Sequence, residues 1–234
     1  MHLLSVLALL FVSQTASSLY RRAFDTREDV SGAIQCLSTG YNVGIFRVIK
    51  NGTFDQVGWK NYQAARSIIY DCYLELIVEL DGKGSADDQF NTFWNKVGQS
   101  VQWPSLWIDL TGPKTNWNTN ITKNYELVET FLGKATKKGA AVGVFVNSKT
   151  TRIVGNQTLE PYIRVWYQGN EKMDMGDYFQ FGGQPRASLK QYSSNTTDCG
   201  VQINKNIYDA PYKKAVEFNQ CFAKKLTGRK NNHH

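Results

Sequence analysis

Asp25 and Asp109 each close a short, largely apolar run, Arg22–Phe24 and Ser105–Ile108, in a chain with little other catalytic equipment. Its three histidines are His2 and the terminal pair His233 and His234, which follow Lys230-Asn231-Asn232. A Ser-His-Asp or Cys-His nucleophile system therefore has no imidazole to use, and HExxH zinc chemistry is absent. Neither a GxxxxGK[ST] phosphate loop nor a GxGxxG dinucleotide fingerprint occurs, so no cofactor is expected. Carboxylates are the agents left for catalysis, acting as general acids, bases or electrostatic stabilisers. Glu75 and Glu79 add two more acids on one apolar run, where ordinary strand positions facing water or a basic neighbour are the expected reading.

The elements that must position these acids alternate. Strands are expected at Arg22–Phe24, Val43–Val48, Cys72–Val78, Ser105–Asp109, Ala140–Val146, Ile163–Tyr167, Ser188–Tyr192 and Gly200–Ile203. Between them lie stretches of helical period: Val30, Ile34 and Leu37; Trp59, Tyr62, Ala65 and Ile69; Phe90, Phe93, Trp94, Val97 and Val101; Leu127, Val128, Phe131, Leu132 and Ala135, closed by Gly139. A last helix is expected from Pro211, with Ala215, Phe218 and Phe222 on one face. Strands alternating with helices predict an α/β fold, a parallel sheet with right-handed crossovers. About eight strands make it a TIM-like (β/α) barrel, with irregular final units because residues 169–183 lose the helical signal. The active site of such a barrel lies at the carboxyl ends of its strands. That rule selects Asp25, Glu75, Glu79, Asp109, Phe145, Asn147, Trp166, Tyr167, Gln202 and Asn204.

Composition places the chain in its compartment. Of 234 residues, 27 are Lys or Arg and 20 are Asp or Glu, a net charge of +7, and 41% are hydrophobic, a globular balance. The run Leu3–Val12 is too short to span a bilayer, and Ala16-Ser17-Ser18 supplies the small residues a signal peptidase reads. Residues 1–18 are read as a signal peptide, 19–228 as one barrel domain and 229–234 as a basic polar tail. Four cysteines, Cys36, Cys72, Cys199 and Cys221, are expected to form two disulfides in any of three connectivities. Sequons at Asn51, Asn120, Asn156 and Asn195 agree with a secreted or lumenal protein.

Phe24-Asp25, the run from Leu106 through Asp109 to Pro113, Leu189-Lys190-Gln191-Tyr192 and, above all, Cys199-Gly200-Val201-Gln202-Ile203-Asn204-Lys205-Asn206-Ile207-Tyr208 resemble the Chalaropsis-type lysozymes, glycoside hydrolase family 25. The likeness is to the lysozyme-like proteins of nematodes and protists, and it runs from about Arg21 to Leu226. It implies an α/β barrel that hydrolyses the β-1,4 bond between N-acetylmuramic acid and N-acetylglucosamine. It also implies acidic residues ending the first, fourth and eighth strands, the fourth as Asp-x-Glu with the Glu as general acid. Asp25 and Asp109 match the first-strand and fourth-strand aspartates, so they are the expected catalytic pair. Thr111 stands where the acid Glu belongs, and Gln202 where the last-strand aspartate does. A threonine hydroxyl is no useful proton donor near neutral pH, so either weak hydrolysis or glycan binding without turnover is expected. Glu75 is the one displaced acid considered. Trp117, Trp166, Tyr167 and Tyr192 are expected to bind substrate beside Thr111 and Gln202, whereas Trp107 is expected in the core. The expected partner is bacterial peptidoglycan or a related glycan, which the positive charge suits. Nucleic acid, a membrane after leader removal, and self-association are not expected.

Overall fold

The computed structural model describes residues 21–69, 74–101 and 105–209. In chain order these form β1 (Arg21–Thr26), α1 (Ile34–Gly40), β2 (Val43–Lys50), β3 (Thr53–Phe54), α2 (Gln56–Arg66), β4 (Leu74–Val78), α3 (Ala86–Phe93), β5 (Ser105–Asp109), α4 (Ile121–Lys137), β6 (Ala141–Val146), α5 (Thr151–Val154), β7 (Arg164–Gln168), β8 (Leu189–Asp198) and β9 (Val201–Tyr208). Strands β1, β2, β4, β5, β6, β7 and β8 pair in parallel, each with the next. β9 pairs antiparallel with both β8 and β1 and closes an eight-stranded barrel; β3 is a short strand added outside β2.

The antiparallel last strand corrects the expectation of an all-parallel sheet. Only Cys199 and Gly200, at φ 51° and 75°, separate β8 from β9. A two-residue turn of this hand makes a hairpin, and a parallel return needs a dozen residues or more. The hairpin lengthens both strands beyond the expected Ser188–Tyr192 and Gly200–Ile203. That extension matters for the site.

Alternation along the strands divides the core in two. Ala23, Val43, Ile45, Ile77, Trp107, Phe145, Trp166, Leu189 and Tyr208 fill the barrel interior. Phe24, Phe46, Leu76, Ile108, Val144 and Val165 face outward into the helix layer with Leu37, Tyr62, Phe93 and Phe131. Gly143 permits the interior packing, because a Cβ there would sit 2.3 Å from the Trp107 ring. Caps delimit the helices: Asp55 accepts from the amides of Val57 and Gly58, and Asn120 from those of Thr122 and Lys123. Trp94–Gly98, expected as a continuation of α3, is a separate π-helical turn. From β7 to β8 the chain carries no helix, as the fading periodicity foretold.

Cys36 of α1 and Cys199 of the β8–β9 turn form a disulfide across 163 residues of sequence. Cys72, Cys221, the leader, the Pro211 helix and the basic tail lie outside the described residues. Replacing Cys36 and Cys199 together by alanine is expected to lower unfolding free energy by about 2–4 kcal/mol, since the bridge closes a long loop. Urea denaturation checks this, and an unchanged midpoint would mean that the hairpin is held by its strand pairing alone. Among the described residues no helix is long and apolar enough to cross a membrane.

Candidate active site at the barrel mouth

The carboxyl ends of β1, β4 and β5 bring Asp25, Glu79 and Asp109 to one end of the barrel, and Arg27, two residues beyond Asp25, lies among them. One Arg27 guanidinium nitrogen lies 2.6 Å from Asp109 Oδ2, and another pairs with Glu79. Glu79 Oε1 also accepts from Arg47 at 3.0 Å, and Arg47 in turn reaches Asp55 at 2.7 Å. A chain of alternating charge thus runs from Asp109 to the N-cap of α2. The other oxygen of Asp109 accepts from the Thr111 amide at 2.8 Å and the Thr111 hydroxyl at 2.7 Å. Asp109 is therefore engaged through both oxygens, always as an acceptor.

Asp25 lies behind this cluster and is 1% exposed. Its carboxylate accepts from the side-chain amides of Gln191 at 3.0 Å, Asn204 at 2.8 Å and Asn206 at 2.8 Å. Burial pushes its pKa above the usual carboxylate value, while the Arg27 charge and the three amides pull against that. Burial also opposes the Arg27 charge, but Asp109 and Asp25 outweigh it, so the guanidinium stays charged. The cluster opens on a cleft of about 210 Å³ lined by Arg27, Asn51, Glu79, Asp109, Thr111 and Trp117, among others. Chemically this is a preorganised polar groove in which Arg27 stands against the carboxylates of Glu79 and Asp109. It has carboxylates able to stabilise positive charge or orient an amide, and the Thr111 hydroxyl at its rim.

Several expected site residues sit elsewhere. Glu75 is wholly buried inside the barrel, where Trp107 Nε1 donates to it at 2.7 Å and the Tyr208 hydroxyl also donates. Trp166 is likewise fully buried, stacked on Phe145 with ring centroids 3.9 Å apart, and its Nε1 donates to Asn206. Tyr167 points outward, buried, and donates to Asp177. Neither ring presents a face to the groove, because alternation along β7 sends one inward and the other into the outer layer. Tyr192 lies on the outer wall in a depression with Arg22, Asp198 and Lys205. Gln202 is exposed on the hairpin extension, and its side chain donates to Thr197. In the β1–β9 register Asp25 faces Asn204, so the last-strand groups that meet Asp25 are Asn204 and Asn206. Trp117 borders the cleft at 4% exposure, packed against Gly82. Among the described residues no three His, Cys, Asp or Glu side chains gather as metal ligands would.

Arg27, Gln191 and Asn206 were not singled out from sequence. Arg27 had a usable signal, since a residue two past the end of a barrel strand belongs to the mouth. Asn206 shares the period-2 face of Asn204, but an expected strand end at Ile203 hid it.

Comparison with known proteins adds kinship to this geometry. The family model described as "Lysozyme-like protein 1" matches residues 16–192. "Lysozyme-like protein 2" of Caenorhabditis elegans is 30% identical over 114 residues, covering 44% of this chain and 40% of the relative. "Probable GH family 25 lysozyme 3" of Dictyostelium discoideum is 29% identical over 149 residues, 62% of this chain and 31% of the relative. The match thus spans well under half the length of these relatives. Among solved structures, a bacterial lysozyme from Streptomyces coelicolor superposes with a TM-score of 0.67 at 13% identity, covering 83% of this chain and 94% of that one, a likeness of fold. The closed barrel and the family match over residues 16–192 together establish that the chain belongs to the lysozyme-like protein family.

Proposed function

We propose that this chain is a secreted lysozyme-like protein that recognises bacterial peptidoglycan, a β-1,4-linked polymer of N-acetylated sugars, through the cleft at the barrel mouth. Its hydrolysis of that polymer is slow, and its role is antibacterial defence or digestion of bacteria. One observation carries the reading: Asp109 spends both oxygens on Arg27 and Thr111, and Thr111 occupies the position two residues on where the resemblance places a carboxylic acid. Glycosidic cleavage needs a proton on a poor leaving-group oxygen, delivered by an acid held protonated near neutral pH. Glu75 does not supply it, since it is sealed inside the barrel against Trp107 and Tyr208. Asp25 does not line the cleft.

Binding makes fewer demands. A groove with fixed donors and acceptors, one charged guanidinium and an indole in its lining suits hydroxyl and N-acetyl groups. The family relationship and the net charge of +7 favour a bacterial wall as the source of those sugars. The test is co-sedimentation with insoluble peptidoglycan alongside release of reducing ends. Wild type is expected to sediment with the polymer and release few ends. Asp109→Asn, which breaks the pairing with Arg27, is expected to weaken sedimentation about tenfold, or about 1.4 kcal/mol. Rapid release of ends by wild type would reject the slow-hydrolysis reading, and absence of sedimentation would reject the peptidoglycan reading.

A further inference from the structure

The sequon nearest the site is Asn51-Gly52-Thr53, and the fold places its first residue on the wall of the mouth cleft with Arg27, Glu79 and Asp109. Asn51 and Gly52, at φ 48° and 75°, form the tight turn between β2 and β3. The turn is held in place: the Gly52 amide donates to the Glu79 carbonyl at 2.9 Å. A Cβ on Gly52 would meet Gln89 Oε1 at 3.0 Å and Asp81 Cβ at 3.1 Å, so the tip is packed down on the strand end it borders. Asn51 and Thr53 are themselves exposed, as an acceptor site must be. The other three sequons differ. Asn120 caps α4, Asn156 follows α5 and Asn195 lies in β8, and none of them lines the cleft.

An asparagine-linked glycan begins with two β-1,4-linked N-acetylglucosamine units. That is the sugar class which the proposed function assigns to this cleft, and the following inference rests on that assignment. We propose that Asn51 is N-glycosylated and that the first sugars of its glycan lie in the mouth cleft as a tethered pseudo-ligand, competing with external glycan. In the modification the Asn51 Nδ2 forms a bond to C1 of the sugar and loses one amide proton. The bond from C1 to the diphosphate of a lipid-linked oligosaccharide breaks, and the lipid diphosphate leaves with the electron pair. Tethering holds the sugar at an effective concentration of about 1 mM, enough to compete with a weakly held polymer end.

The protein expressed in a glycosylating eukaryotic cell provides the test, with Asn51→Gln and Thr53→Ala as two routes to loss of this glycan. Asn120→Gln, Asn156→Gln and Asn195→Gln serve as controls that remove glycan elsewhere. Mass spectrometry reads occupancy at Asn51, hydroxyl-radical oxidation of Pro113, an exposed residue of the same cleft lining, reads shielding, and peptidoglycan co-sedimentation reads competition. The proposal expects an occupied Asn51 and Pro113 oxidised several-fold faster in both Asn51-glycan variants. It further expects a two- to tenfold gain in peptidoglycan affinity in those two variants and in none of the controls. A vacant Asn51, or equal Pro113 oxidation with and without the glycan, overturns it. Pro113 protected by the glycan but no peptidoglycan bound by any form would uphold the placement of the glycan and overturn the peptidoglycan reading.

Discussion

Thr111→Glu is expected to raise reducing-end release from peptidoglycan by about 10²- to 10⁴-fold, the usual contribution of a positioned general acid. The position suits the task. The Thr111 hydroxyl lies 2.7 Å from Asp109 Oδ1 and borders the cleft, so a longer acidic side chain at 111 extends along the same wall. Arg27 is already held by Asp109 and Glu79 and is not free to neutralise the newcomer. The Asp109 carboxylate beside it disfavours a second negative charge, and that holds the new acid protonated further toward neutral pH. Thr111→Gln, of similar size without the proton, is the control and is expected to stay at the wild-type rate. If Thr111→Glu folds, still sediments with peptidoglycan and shows no gain, the missing acid is not what limits turnover. The cleft would then have to be regarded as a binding groove whose substrate geometry differs from that of a hydrolase.

The second large effect concerns stability. Lys190 is 0% exposed, on the outer side of β8, where its ammonium replaces the absent helix as the anchor of the β7–β8 connection. Its Nζ lies 3.0 Å from Asn170 Oδ1, 2.9 Å from the Lys172 carbonyl, 2.8 Å from the Asp174 carbonyl and 2.6 Å from Asp177 Oδ1. Lys190→Met keeps much of the volume and removes the charge, leaving two backbone carbonyls, the Asn170 side-chain oxygen and a carboxylate that were ordered around a cation. A loss of about 3–5 kcal/mol is expected, the range for breaking a buried ion pair from one side. Urea denaturation measures it, and amide exchange over residues 169–178 should accelerate before the rest of the barrel opens. A loss below about 1 kcal/mol would show that the connection is carried by the packing of Tyr167, Tyr178 and Phe179 instead.

The same contact sets a pH dependence. Burial raises the Asp177 pKa, but hydrogen bonds from Lys190, the Asn170 amide and Tyr167 outweigh it and hold the carboxyl at about 2 against an ordinary 3.8. A carboxylate depressed by folding stabilises the fold fully above its ordinary value, and that stability fades as pH falls from about 4 through about 2. Wild type should therefore weaken over that window, and Lys190→Met should weaken less steeply across it. Equal slopes in the two proteins would separate the acid sensitivity from this pair.

By itself the sequence determined the layout of elements around the barrel. All eight expected strands appear in the described structure within two residues of their expected starts, because a barrel strand is a short, largely apolar run between turn residues, readable without knowing its neighbours. The irregular stretch after Tyr167 and the core position of Trp107 were equally readable, as were Asp25 and Asp109 at their strand ends. Tertiary structure decided what surrounds those two acids. Arg27 reaches Asp109 across 82 residues, and Asn206 reaches Asp25 across 181. Such pairings depend on barrel closure and on the β1–β9 register, which no local pattern encodes. Register also exchanged the expected Gln202 for Asn204 and Asn206: a hairpin turn at Cys199-Gly200 carries β9 past the point where the apolar run ends, so the residues that reach Asp25 lie two and four positions further along the same face. Glu75 and Trp166 were removed from the cleft for a related reason. Residue type marks both as able to touch a sugar, but their depth in the strand puts them below the mouth, where the barrel interior must be filled and each polar atom must find a partner inside it.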